Sequence, residues 1–97
     1  MLVVEHFVAP SVVHGLGVFS KHFVPKGALV WRVHPVIDRE IHRAELDDLP
    51  PHVVQNIQTH AEYLPSRDVF RLGADGGYFM NHSDDPNLID AGESMFA

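Results

Sequence analysis

Residues 2 to 8, Leu-Val-Val-Glu-His-Phe-Val, are mostly β-branched or aromatic and predict a strand. Pro10-Ser11 breaks it, and His14-Gly15-Leu16-Gly17 predicts a glycine-rich turn leading into a short strand at Val18-Phe19. Pro25-Lys26-Gly27 is a second turn, because proline presets φ and glycine accepts the positive φ that other residues resist. Ala28 to Val33 reads as the next strand, ended by His34-Pro35. The period then changes. From His52 to Leu64, the apolar residues Val53, Val54, Ile57, Ala61 and Leu64 fall on one face of a helix. Asp47 and Asp48 precede it, Pro50-Pro51 suits its first turn, and Pro65 stops it. Val69 to Leu72 is extended again, and Ala74-Asp75-Gly76-Gly77 is a loop. Leu88 to Asp90, then Ala91-Gly92-Glu93, then Ser94 to Ala97 read as a hairpin. The outline is one domain over residues 1–97, mostly β, with short strands in small sheets and one helical insert in the middle.

Composition narrows the function. The chain has 97 residues, a 45% hydrophobic fraction and a formal charge of −6, which is ordinary globular composition in a length that allows one domain. Phosphate-backbone affinity comes from clustered Lys and Arg, so an acidic chain argues against nucleic acid as partner. No apolar run approaches the ~18 residues that span a bilayer, and the opening residues lack the basic start of a signal peptide. A soluble protein, cytoplasmic or otherwise intracellular and without a membrane partner, is the expectation. Cysteine is absent, which excludes disulfides, cysteine zinc sites and a thiol nucleophile.

Two stretches could carry chemistry. Gly15-Leu16-Gly17 lets the backbone approach a ligand closely and offer it amide groups. It is not the dinucleotide fingerprint, since no third glycine follows at the required spacing and a strand comes next; a plain turn between strands is the other reading. Asn81-His82-Ser83-Asp84-Asp85-Pro86-Asn87 packs polar residues against Tyr78-Phe79-Met80. Solvated Asx turns, a His/Asp metal site, or a loop holding a heterocycle beside Phe79 would each account for it. The 8 histidines include no helical H-x-x-x-H pair, and His52 and His60 lie too far apart to grip one ion, so no metal is expected.

Taken together, His14-Gly15-Leu16-Gly17-Val18-Phe19, Val24-Pro25-Lys26-Gly27, and Gly77-Tyr78-Phe79-Met80-Asn81-His82-Ser83 with Pro86-Asn87 resemble the SET-domain family of protein lysine methyltransferases. The resemblance runs from about Val12 to the last residue, and Arg39 to Leu64 matches the family's variable helical insert. It implies a β-clip-like fold with a C-terminal pseudoknot, S-adenosylmethionine as cofactor, and a lysine-bearing protein as substrate. By the same resemblance, the backbone around Gly15, Leu16 and Gly17 contacts the cofactor's methionine part, and Asn81 and His82 hold its adenine and polar groups. Tyr78 stands where the family often has an arginine near the cofactor, and Phe79 packs beneath the motif.

The chain departs from the family at its end. Members continue past the hairpin into a segment whose tyrosine lines the lysine channel, whereas this chain stops at Met95-Phe96-Ala97. The catalytic tyrosine is therefore expected beyond Ala97, the pseudoknot is expected to be incomplete, and truncation is the first explanation. A non-catalytic cofactor- or protein-binding module is the second. A homodimer in which a second copy lends the element across a swapped interface is the third.

Overall fold

The structure, a computed structural model, describes residues 1–12, 15–81, 83 and 85–97. Its described strands form three small antiparallel sheets. The first pairs β1 (His6–Pro10) with β2 (Leu16–Ser20). Cross-strand neighbours Phe7 and Phe19 stack at 5.5 Å, and the ladder ends at Pro10 opposite Leu16. A proline is tolerated there because an outer strand end needs no further ladder donor. The expected strand over Leu2 to Val8 is thus split. Leu2 bridges Trp31, its amide is captured by Asp75 Oδ2 at 2.7 Å, and regular pairing starts only at His6.

The second sheet has the order β3-β8-β7, from β3 (Leu29–Arg32), β7 (Ile89–Asp90) and β8 (Ser94–Phe96). It contains the expected C-terminal hairpin. Gly92 takes φ +89 in the turn, and Asp90 Oδ1 accepts the Gly92 amide at 2.8 Å. The third sheet, β4-β6-β5, joins β4 (Asp38–His42), β5 (Glu62–Leu64) and β6 (Val69–Gly73).

This third sheet corrects the helical reading of the middle. The helix α1 runs Pro51–His60, with proline at its first turn, and stops before Leu64. Ala61 is already extended (φ −88, ψ 152), and Glu62, Tyr63 and Leu64 pair with Arg71, Phe70 and Val69 as an edge strand. Local propensity lost to a sheet edge that only the tertiary fold supplies. The insert also contains most of β4 and a 3₁₀ turn at Arg43–Asp48, where Glu45 accepts the His42 amide at 3.0 Å. The apolar stripe nevertheless points as expected. Ile57 is buried with Ile41, Leu46 and Phe70, and Val53, Val54 and Ala61 pack against that cluster.

A second 3₁₀ turn, Gly76–Phe79, follows β6. Asp75 caps it by accepting the Gly77 amide at 3.1 Å. Asp75 therefore ties Leu2 to the start of the stretch that ends in Asn81. No helix among the described residues is long and apolar enough to cross a membrane.

Candidate functional site

The loop from β1 to β2 is closed by the Ser11 amide donating to the Gly15 carbonyl at 2.7 Å. Gly15 has φ +46, a backbone conformation in which a Cβ is strained, and open space lies around it. Gly17 is buried for a different reason. A Cβ built there would stand 3.0 Å from Ser11 Cβ and 3.5 Å from Asn81 Nδ2. The bare Cα is what lets the two chain segments close.

Asn81 reaches back across the chain to this loop, its Nδ2 donating to the Leu16 carbonyl at 3.3 Å. The glycine turn and the asparagine stretch, remote in sequence, are therefore neighbours. Gly17 and Asn81 line one groove of about 1120 Å³, whose walls also include Phe23, Trp31, His60 and Arg71. Phe23 stands 90% exposed at its edge, an apolar ring without cover. Among the described residues, Gly15, Leu16 and Tyr78 do not line the groove. The Leu16 carbonyl acts through Asn81, and the Tyr78 ring lies against His60 at 4.0 Å and Phe79 at 5.1 Å. His82, like His14 and Asp84 of the same motifs, lies outside the described residues.

Sequence reasoning missed the polar wall opposite. Arg71 sits in the middle of β6 with only 3% of its side chain exposed. Its Nη2 reaches Glu93 at 3.2 Å and Glu40 at 3.4 Å, and its Nη1 reaches the Gly92 carbonyl at 3.3 Å and Glu62 at 3.8 Å. The guanidinium lies 5.8 Å from the centre of the Trp31 ring, within cation–π reach. Among the described residues, the buried Arg71 Nε finds no hydrogen-bond partner. The only signal in the sequence was a lone charge inside the apolar run Val69 to Leu72.

The surrounding carboxylates respond to their unequal settings. Burial works against the charged form of Glu40, but hydrogen bonds and charge from Arg67 and Arg71 outweigh it and hold its carboxyl below the ordinary value. Glu62 goes the other way. Burial, then the negative charge of Asp90, raise it, and the distant Arg71 contact does not compensate. Glu62, Asp85 and Asp90 also line the groove, so its lining carries acidic side chains. The site thus combines a glycine-bared backbone, an amide side chain, aromatic rings and carboxylates. That mixture suits an amphipathic ligand carrying amino groups.

Comparison with known proteins agrees with this geometry. The family model described as SET domain matches residues 15–95, from the glycine turn to the middle of β8. No curated protein and no solved structure matches the chain. The match spans most of the chain and includes both segments that meet at Asn81 and Leu16. With its eight short described strands, small antiparallel sheets and single α-helix, this methyltransferase-type domain belongs to the SET domain family.

Proposed function

We propose that the groove binds S-adenosylmethionine and that the domain serves methyl transfer to a lysine side chain of a protein. The observation that carries the reading is the Asn81–Leu16 contact, which closes both motifs around one cleft. The fit rests on Gly17. A side chain there would press on Ser11 and Asn81, so the bare Cα is what lets the asparagine amide reach the glycine turn at the groove. Gly17 and Asn81 would hold the cofactor, with the remaining polar capacity of the Asn81 amide available to it. When bound, S-adenosylmethionine supplies a sulfonium methyl group to an amine nucleophile. The chain's own part is to align the reactants and exclude water, which is where most of the rate in such a displacement arises. Glu62, Asp85 and Asp90 on the groove wall favour a cationic, lysine-bearing partner over an acidic one. An apolar lining near Trp31 and Met95 favours the neutral amine that attacks.

A second reading has its own support. Among the described residues, neither tyrosine lines the groove. Tyr63 donates its hydroxyl to Asp68 at 2.6 Å, and Tyr78 packs on His60. This arrangement favours a chain that binds cofactor or protein without turnover by itself. Two measurements separate the readings. Titration calorimetry with S-adenosylmethionine is expected to show binding that Asn81→Ala weakens; no heat with the unaltered chain overturns both cofactor readings. Transfer of a tritiated methyl group to a lysine-rich protein is expected under the first reading and absent under the second.

A further inference from the structure

We propose that His60 is a second polar anchor of the groove, its Nε2 accepting a hydrogen bond from an amino group of the bound cofactor. This rests on the cofactor reading above and adds to it a residue that belongs to neither motif.

The ring is fixed twice. Its Nδ1 stands 3.1 Å from the Tyr78 carbonyl oxygen. A carbonyl only accepts, so Nδ1 carries the proton and donates it. One face of the imidazole lies on the Tyr78 ring at 4.0 Å and 19°, and Phe79 meets it edge-on at 6.2 Å. The neutral ring with its proton on Nδ1 has a lone pair on Nε2. That nitrogen makes no hydrogen bond among the described residues, and it is not sealed from solvent. The same ring lines the groove that Gly17 and Asn81 line.

A side chain held by one nitrogen and one face, with its other nitrogen unfilled among the described residues and the residue itself lining the groove, is a preorganised acceptor. It loses little further freedom when a ligand arrives, which is the usual cost of recruiting a long polar side chain. An acceptor selects donors. S-adenosylmethionine has two N–H donors, the exocyclic amine of adenine and the α-ammonium of its methionine half, beside the hydroxyl donors of its ribose, and the N–H pair shares the chemistry that His60 can take. Its carboxylate is a poor match for the same nitrogen.

The test uses the full chain and its His60→Phe and His60→Gln variants. Calorimetry is run with S-adenosylmethionine, with adenosine and with N6,N6-dimethyladenosine, beside thermal unfolding and ¹⁵N imidazole spectra. Phenylalanine keeps the stack on Tyr78 but has no acceptor, so the affinity for S-adenosylmethionine is expected to fall about 3- to 10-fold, the size of one neutral hydrogen bond. Glutamine, whose Oε1 can stand near the position of Nε2, is expected to recover most of that loss. A loss seen with adenosine but not with N6,N6-dimethyladenosine, which keeps the ribose hydroxyls and lacks the amine hydrogens, assigns the adenine amine as donor. A loss confined to S-adenosylmethionine assigns the α-ammonium, and a loss that persists with the dimethyl compound assigns a ribose hydroxyl and overturns the proposal. In the unaltered protein, His60 is expected in the Nδ1–H form, with an Nε2 resonance that moves on saturation with ligand. Equal affinities for His60→Phe and the unaltered chain, or an Nε2 resonance that stays still, overturn the His60 proposal alone. No binding by the unaltered chain overturns the cofactor reading and this proposal with it.

Discussion

Replacing Arg71 by leucine removes a buried cation on which side chains from two sheets converge. Arg71 is bonded or ion-paired to Glu40 on β4, Glu62 on β5, and Glu93 and the Gly92 carbonyl in the β7–β8 turn. Deleting one partner of a fully buried ion pair costs about 3–5 kcal/mol, because a charge is left uncompensated. Here the abandoned carboxylates are less isolated. The Glu40, Glu62 and Glu93 side chains are 33%, 37% and 68% exposed, so water screens them. Arg67 also remains on Glu40 at 2.7 Å. Two gains offset the loss further. The unpaired Arg71 Nε disappears, relieving about 1–3 kcal/mol of desolvation, and leucine keeps apolar contact with Trp31. The balance is a destabilisation of about 2 kcal/mol, which in a domain of this length lowers Tm by roughly 8–16 °C. Urea unfolding at neutral pH is the assay, with the midpoint expected to fall at an unchanged m-value. Arg71→Lys keeps the charge without the planar fork and should fall between the two. An Arg71→Leu protein as stable as the parent would refute the argument, since the cluster would then cost as much to bury as it returns.

The two glycines of the first motif should fail differently. Gly15→Ala meets no atom within 4 Å but must hold φ +46, so it loses about 1–2 kcal/mol of stability in thermal unfolding. Gly17→Ala has no such strain but presses on Ser11 and Asn81, so its loss should be larger in ligand affinity by calorimetry than in stability; the reverse order refutes the assignment. Gly76→Ala puts a Cβ 2.5 Å from His6 Nε2 and should cost about 1–3 kcal/mol, with His6→Ala in the same chain recovering part of it. Glu62 tests the sign of the electrostatics. Its carboxyl is held above the ordinary 4.5, so the folded state binds that proton more readily than the unfolded one. The stability this gives is complete below about pH 4.5 and is lost as the pH rises through the raised value. Glu62→Gln should therefore gain on the parent between acid and neutral pH, by less than about 1 kcal/mol because the group is partly exposed; a gain that shrinks with pH contradicts the cause assigned.

What the sequence made legible depended on whether the cause was local. The stripe Val53, Val54 and Ile57 faces the core because helical spacing alone puts it on one side, and the hairpin around Gly92 forms because Asp90 and glycine carry their own turn chemistry. The end of α1 was not legible, since nothing at Ala61 stops a helix; β6 does, by offering ladder partners to Glu62, Tyr63 and Leu64. Strand β4 escaped for a similar reason. Asp38–His42 has one buried apolar residue, Ile41, and its buried Asp38 is held by the His34 amide at 2.8 Å and the amino group of Met1 at 2.7 Å. The meeting of Asn81 with Leu16 has no local signature either, and only the family resemblance put those segments together in advance. His60 shows where that resemblance stops. In the sequence it figures only as one of two histidines too far apart to grip one ion, and only the Tyr78 carbonyl, brought over by the fold, fixes its tautomer and leaves Nε2 without a partner among the described residues. A side chain of this kind acquires its role from packing, so pattern matching assigns it none, and the structure is where it has to be found.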